Sequence, residues 1–149
     1  MKNSEQFKNF TEEILESEVF AQSKAYIQHG KISVFEHCRS VAKLSFTLGN
    51  FFKVKDIKSL VRSALLHDFF LYDWHTPEKM WSLHGWTHPI TAAKNAQKYF
   101  YANDKEYSMI RTHMWPWTLF HPPSHGEGWI IVMADKLISL KEILFQWIR

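Results

Sequence analysis

The chain has 149 residues, 46% hydrophobic and 22% charged, with a formal charge of +3. One domain of this size can bury a core without staples, and the scattered lysines and arginines form no nucleic-acid footprint. A single cysteine, Cys38, excludes an internal disulfide and any zinc site built on two or more thiolates.

Five glycines and five prolines leave little material for tight turns, which favours a few long helices over a many-stranded sheet. Residues 4–28 read as one or two helices, with Phe7, Phe10, Ile14 and Leu15 on one side, and Gly30 ends the section. This amino-terminal segment is expected to serve packing or dimerisation. It has no apolar stretch that reads as a signal peptide, and the longest apolar run, near Trp129, is too short to span a bilayer. The expected location is the cytoplasm. Ser33 is placed to cap a helix carrying Val34, Cys38, Val41 and Leu48, which ends near Gly49-Asn50. Asp56 caps a third helix through Leu60, Ala64 and Leu65. Residues 70–86 read as a structured aromatic loop with one helical turn. Thr87 reads as the cap of THPITAAKNAQKYF, with Pro89 in its first turn. A helix follows from Asp104 to about His113, then a proline-rich loop, then a long helix from about Glu127 to Trp147. The fold class is all-α: a compact bundle of six to seven helices in one domain, residues 1–149, with 1–30 as an amino-terminal segment and 31–145 as the core. No stretch alternates with period two.

Four ionisable residues fall on the apolar stripes of these helices. His37 lies three after Val34 and four before Val41, His67 and Asp68 follow Ala64 at three and four, and Asp135 sits between Ile131 and Ile138. Singly each has an ordinary reading: a satisfied core histidine, a turn cap, a carboxylate paired with Arg39 or Arg62. A lone buried carboxylate costs several kcal/mol, about the penalty that pairing or a metal relieves. Two imidazoles and two carboxylates form a nitrogen and oxygen donor set suited to a divalent transition metal rather than calcium.

The order His37, then His67-Asp68 closing the apolar run SALLHD, then Asp135 in ADK, resembles the HD superfamily of metal-dependent phosphohydrolases. The resemblance spans roughly residues 29–144. Two more histidines fall in the interval where dinuclear members insert theirs: His88 before Pro89, and His113 in RTHMWP. The resemblance implies that His88 and His113 bind a second metal, with Asp68 bridging the pair. It also implies metal-activated water attacking the phosphorus of a phosphomonoester or phosphodiester, with a nucleotide-like small molecule as the expected substrate. Iron or manganese leads the metals, with zinc, cobalt, nickel and magnesium as further candidates. Lys136 and His84 join Asp68 as candidate catalytic residues, Lys136 to pair with an acid or reach the phosphate and His84 as proton donor or outer support. The GYP signature is absent and Met114 stands where those enzymes often carry another histidine, so cyclic-di-GMP is not carried over. A di-iron oxygenase on the same scaffold and a non-catalytic metal-binding module remain alternatives. A homodimer is compatible with the sequence. His29, His75, His121 and His125 read as loop or solvent-facing residues, Asp73 as a turn residue, and Tyr72, Trp74, Trp81, Trp86, Trp115 and Trp117 as core and pocket wall.

Overall fold

The computed structural model describes residues 2–81 and 83–148, and of Met80 and Trp81 the backbone alone, so the expectation for the Trp81 side chain falls outside the described residues. The fold is all-α, and the described residues form eight α-helices: α1 (Lys2–Leu15), α2 (Glu18–Ala21), α3 (Val34–Phe51), α4 (Ile57–Leu66), α5 (Pro77–Trp81), α6 (His84–Phe100), α7 (Asp104–Arg111) and α8 (Gly126–Trp147). The helix beyond the expected six or seven is α5, the one helical turn expected within residues 70–86, while the amino-terminal segment holds two helices, the second (α2) a single turn capped by Ser17, whose side chain accepts from the Phe20 N–H.

Local chemistry sets several of these boundaries. Ser33 and Glu36 form a reciprocal capping box at the start of α3. Asp56 accepts from the Ser59 N–H at 3.1 Å to cap α4. Asn103 and Glu106 form a second capping box at α7, so the cap lies one residue before the expected start at Asp104. Asp73 takes the turn role expected of it, accepting from the His75 N–H at 3.0 Å.

Two features depart from the sequence reading. A two-stranded hairpin, β1 (Ile27–His29) and β2 (Ile32–Ser33), crosses the expected boundary at residue 30. Gly30 turns it at φ +57°, where a Cβ would also collide with the Gln146 side chain. Helix α6 begins at His84 rather than Thr87, because Trp86 and Thr87 both donate backbone bonds to the Leu83 carbonyl. Pro89 therefore lies inside the helix, where it withholds the bond that would reach the Gly85 carbonyl.

The core is formed where α3, α4, α6, α7 and α8 meet, around Leu60, Leu65, Phe69, Met109, Ile110 and Ile131. Phe20 of the amino-terminal segment packs on Phe35 and Phe69, so that segment contributes to the core. Arg62 is buried and each of its nitrogens is bonded: Nε donates to Glu106 at 3.0 Å, Nη1 to Glu13 at 3.2 Å, and Nη2 to the Phe100 carbonyl at 2.7 Å. It is thus not available to Asp135. Removing its guanidinium strands the buried Glu106 carboxylate, so Arg62→Ala is expected to lower unfolding stability by about 3 kcal/mol in urea titration. A change under about 1 kcal/mol would mean that water replaces the pair freely.

Candidate metal centre

Each of the six expected ligands is delivered by a helix or helix end, and all six are buried. His37 projects from α3, His88 from α6 and Asp135 from α8. His67 and Asp68 follow the end of α4, and His113 lies just past α7. Helix ends leave carbonyls without intrahelical partners, and two of these histidines use them. The ring Nδ1 of His67 donates to the Ala64 carbonyl at 2.7 Å, and that of His113 to the Ile110 carbonyl at 2.7 Å. His88 does the same to the His84 carbonyl at 2.8 Å.

These three bonds decide the tautomers. A carbonyl can only accept, so Nδ1 carries the proton and, in the neutral ring, Nε2 presents a lone pair. All three lone pairs converge on Asp68. His67 Nε2 lies 3.2 Å from Oδ2, while His88 and His113 lie 3.1 and 3.3 Å from Oδ1. His37 follows the same rule with a carboxylate in place of the carbonyl: Nδ1 is 2.9 Å from Glu142 Oε2, and Nε2 faces Asp135 Oδ1 at 3.1 Å and Asp68 Oδ2 at 3.6 Å.

The result is two groups of donors sharing one carboxylate. Oδ2 of Asp68 turns to His37, His67 and Asp135, and Oδ1 turns to His88 and His113. In each group the donor atoms all lie within 4.8 Å of one another, so each can hold a metal ion. The donors fit such an ion and fit poorly without one. His67 Nε2 and Asp68 Oδ1 are buried without a well-aligned hydrogen bond, facing only the imidazole and carboxylate contacts given above. His88 Nε2 and His113 Nε2 face each other at 3.2 Å, both with lone pairs in the tautomers their carbonyl bonds require. Only a proton or a cation between them removes that repulsion.

Charge in the metal-free site is balanced by protons. Burial opposes the imidazolium of His37, but its hydrogen bonds to Asp135 and Glu142 outweigh burial and push its pKa up to about 10. Burial also opposes the charged form of His67, whose pKa is nonetheless raised well above its ordinary value, chiefly by the negative charge of Asp68. Burial likewise disfavours both carboxylates, yet His67 holds Asp68, and His37 with His67 holds Asp135, well below the usual range. His113 behaves oppositely. Burial wins there over the hydrogen bond to Asp68, and the pKa falls to about 4.

Three residues that the sequence reading did not assign to the site support the ligands. Glu142 lies two turns after Asp135 on α8 and orients His37 through Nδ1, as carboxylates commonly orient ligating histidines. His29, read as a loop residue, is half-buried beside it, with Nε2 at 3.9 Å from Glu142 Oε2 and an edge-on ring contact to His37. His29, His37 and Glu142 are also close enough to hold an ion. Because His37 Nδ1 already donates to Glu142, this cluster reads better as a hydrogen-bonded support. Gln28 on β1 donates to Asp68 Oδ2 at 2.7 Å across 40 residues of chain. Gln28→Ala is expected to weaken metal affinity about tenfold in competition titrations with a chromophoric chelator. Unchanged affinity would reduce this bond to packing.

Lys136 sits at the rim, half-exposed, with Nζ at 3.1 Å from Asp135 Oδ2 and 3.5 Å from the His113 carbonyl. His84 meets the site from outside. Its carbonyl holds His88, its ring stacks on that of His88 at 4.4 Å, and its Nδ1 lies 2.8 Å from the Tyr72 hydroxyl. Burial, with the neighbouring His88, lowers its pKa to about 4, so at neutral pH it carries no imidazolium proton to donate.

The aromatic residues divide between wall and surface. Trp74 stacks on His84 at 5.1 Å and 8°, whereas Trp86 and Trp117 pair with each other and remain largely exposed. His75 and His121 are exposed and His125 is half-buried, all in loops. Among the described residues, no helix is long and apolar enough to cross a membrane. No family model, curated protein or solved structure matches the chain, and the chemistry of the site therefore rests on its own geometry.

Proposed function

We propose that the chain is a metal-dependent phosphohydrolase of the HD type, holding two divalent ions and acting on a phosphomonoester or phosphodiester of a nucleotide-like small molecule. The observation that carries this reading is the carboxylate of Asp68, with one oxygen facing each of two sets of imidazole lone pairs. His37, His67 and Asp135 complete one ion's donors, and His88 and His113 complete the other's. When bound, the ions supply Lewis-acid polarisation of a phosphoryl oxygen and water acidic enough to ionise near neutral pH.

The chain's own groups do the rest. Asp68, fastened by Gln28, fixes the spacing of the two donor sets. Lys136 holds a positive charge at the rim, where it meets an incoming phosphate and offsets charge developing on its oxygens. His84 locks the tautomer and tilt of His88 through its carbonyl. Trp74 and Tyr72 wall the His84 side with flat apolar surface suited to a ring-bearing substrate.

The test is the metal content of protein purified without chelator and without oxygen, followed by phosphate release from nucleoside monophosphates and p-nitrophenol release from p-nitrophenyl phosphate mono- and diesters. Oxygen consumption serves as the control. The expected result is about two equivalents of iron or manganese with phosphate released. About one equivalent would reduce His88 and His113 to neighbours of a mononuclear site. Oxygen uptake without phosphate release would replace hydrolysis by oxygenase chemistry, and no metal uptake at all would leave a helical binding domain.

A further inference from the structure

Helix α8 is apolar on both faces. Its inner face, with Ile131, Asp135, Ile138 and Glu142, packs on the core and the candidate metal centre. The opposite face carries Trp129, Met133, Leu137, Leu140, Leu144, Trp147 and Ile148, with exposures from 39% at Met133 to 85% at Trp147. A helix apolar all round belongs inside a larger structure, and a continuous apolar patch of this extent marks a contact surface.

The spacing names the occupant. The steps from Trp129 to Met133, Leu137, Leu140 and Leu144 are four, four, three and four, the threes and fours that keep a helix-pairing seam on one face. The pattern also reads the same in both directions. Leu137 and Leu140, Met133 and Leu144, and Trp129 and Ile148 are each equidistant from the point between Ile138 and Ser139. A second copy of the helix turned end for end therefore sets Leu137 against Leu140, Met133 against Leu144 and Trp129 against Ile148. No charged residue falls on the seam. Seven large apolar side chains exposed by 39% to 85% form a strip on the scale of the about 800 Å² that each side of a standard interface buries.

We propose that the chain forms a two-fold homodimer by antiparallel pairing of the outer faces of α8. The contact is isologous, so it closes after two subunits. It leaves the metal ligands on the far side of the same helix, and it is independent of what they bind.

Two measurements test it. Sedimentation equilibrium of the full chain should give twice the 17.8 kDa monomer mass. Leu137→Glu with Leu140→Glu places like charges across the two-fold axis and should restore the monomer mass with circular dichroism and metal content unchanged. Asp68→Ala should remain dimeric, which separates this proposal from the reading of the metal centre. For the direction of pairing, an equimolar mixture of Met133→Cys and Leu144→Cys proteins should cross-link under mild oxidation, while Met133→Cys alone should not. A monomeric wild-type chain at its highest soluble concentration would overturn the dimer and leave the face to a different partner. A dimer that survives the double glutamate substitution would place the interface elsewhere. Self-cross-linking of Met133→Cys would replace antiparallel pairing by parallel pairing.

Discussion

Asp68→Ala is expected to purify without bound metal and to lose about a thousandfold or more of any phosphate-releasing activity, while its far-ultraviolet circular dichroism stays unchanged. The size of the effect follows from where the carboxylate sits. Most single ligands serve one ion, but both oxygens of Asp68 are committed, Oδ2 to the His37, His67 and Asp135 side and Oδ1 to His88 and His113. Its removal also takes the neutralising charge from a buried site in which His67 depends on that charge to stay protonated. Asp68→Asn sharpens the test. The amide keeps the shape and can accept from Gln28 through its oxygen, while its N–H₂ donates to the facing lone pairs of His88 and His113. That variant should stay folded and still bind no metal. If Asp68 merely closes the turn after α4, the outcome reverses. Both variants would then melt at lower temperature but retain metal and turnover.

How far the sequence anticipates this structure depends on whether a feature is local. Ser33 with Glu36, and Asp56, announce their helix starts because a cap and its partner lie within one turn. The inward placement of His37, His67 and Asp135 is legible because each shares a helical stripe with aliphatic neighbours. The hairpin is not legible. Its strands hold three and two residues, too few to show alternation, and its turn depends on Gly30 fitting against Gln146. Gln28 is hidden for the same reason, since nothing in residues 26–33 indicates a partner 40 residues away. The early start of α6 depends on Leu83 in the left-handed region and on packing of His84 against Tyr72 and Trp74, neither of which a cap rule encodes.

Glu142 is a different kind of omission. Its position two turns after Asp135 is visible in the sequence, and a charged residue recurring on a stripe that already holds a buried aspartate is the signal that finds it. The outer face of α8 is a third case. Its apolar residues are plain in the sequence, but in a helix apolar on both sides only the folded chain shows which side the core uses.

Metal uptake at pH 7.5 is expected to release about two protons per protein into a weakly buffered solution. The metal-free site keeps His37 protonated up to about pH 10, and His67 is raised in the same direction, so both rings carry protons that must leave before Nε2 can donate to an ion. His113 adds none, because burial already holds it neutral down to about pH 4. Each proton displaced makes apparent affinity change tenfold per pH unit, so affinity should rise about a hundredfold per unit across the neutral range. The same groups set the stability of the metal-free chain, with the sign fixed by comparison with the unfolded state. His37 stabilises fully below its ordinary pKa of 6.5, and that contribution is lost as pH rises toward about 10. His113 acts oppositely: the unfolded chain takes its proton first, so stability is lost as pH falls from 6.5 toward about 4. The depressed carboxylates, stabilising above 3.8, withdraw their contribution at still lower pH as they protonate. The metal-free melting temperature should therefore fall on both sides of about pH 6.5, toward 4 on the acid side and progressively toward 10 on the alkaline side. Calorimetric metal titrations in two buffers of different ionisation enthalpy count the protons directly. Zero released at pH 7.5 would show that His37 and His67 are already neutral and that the carboxylates are balanced by some other cation.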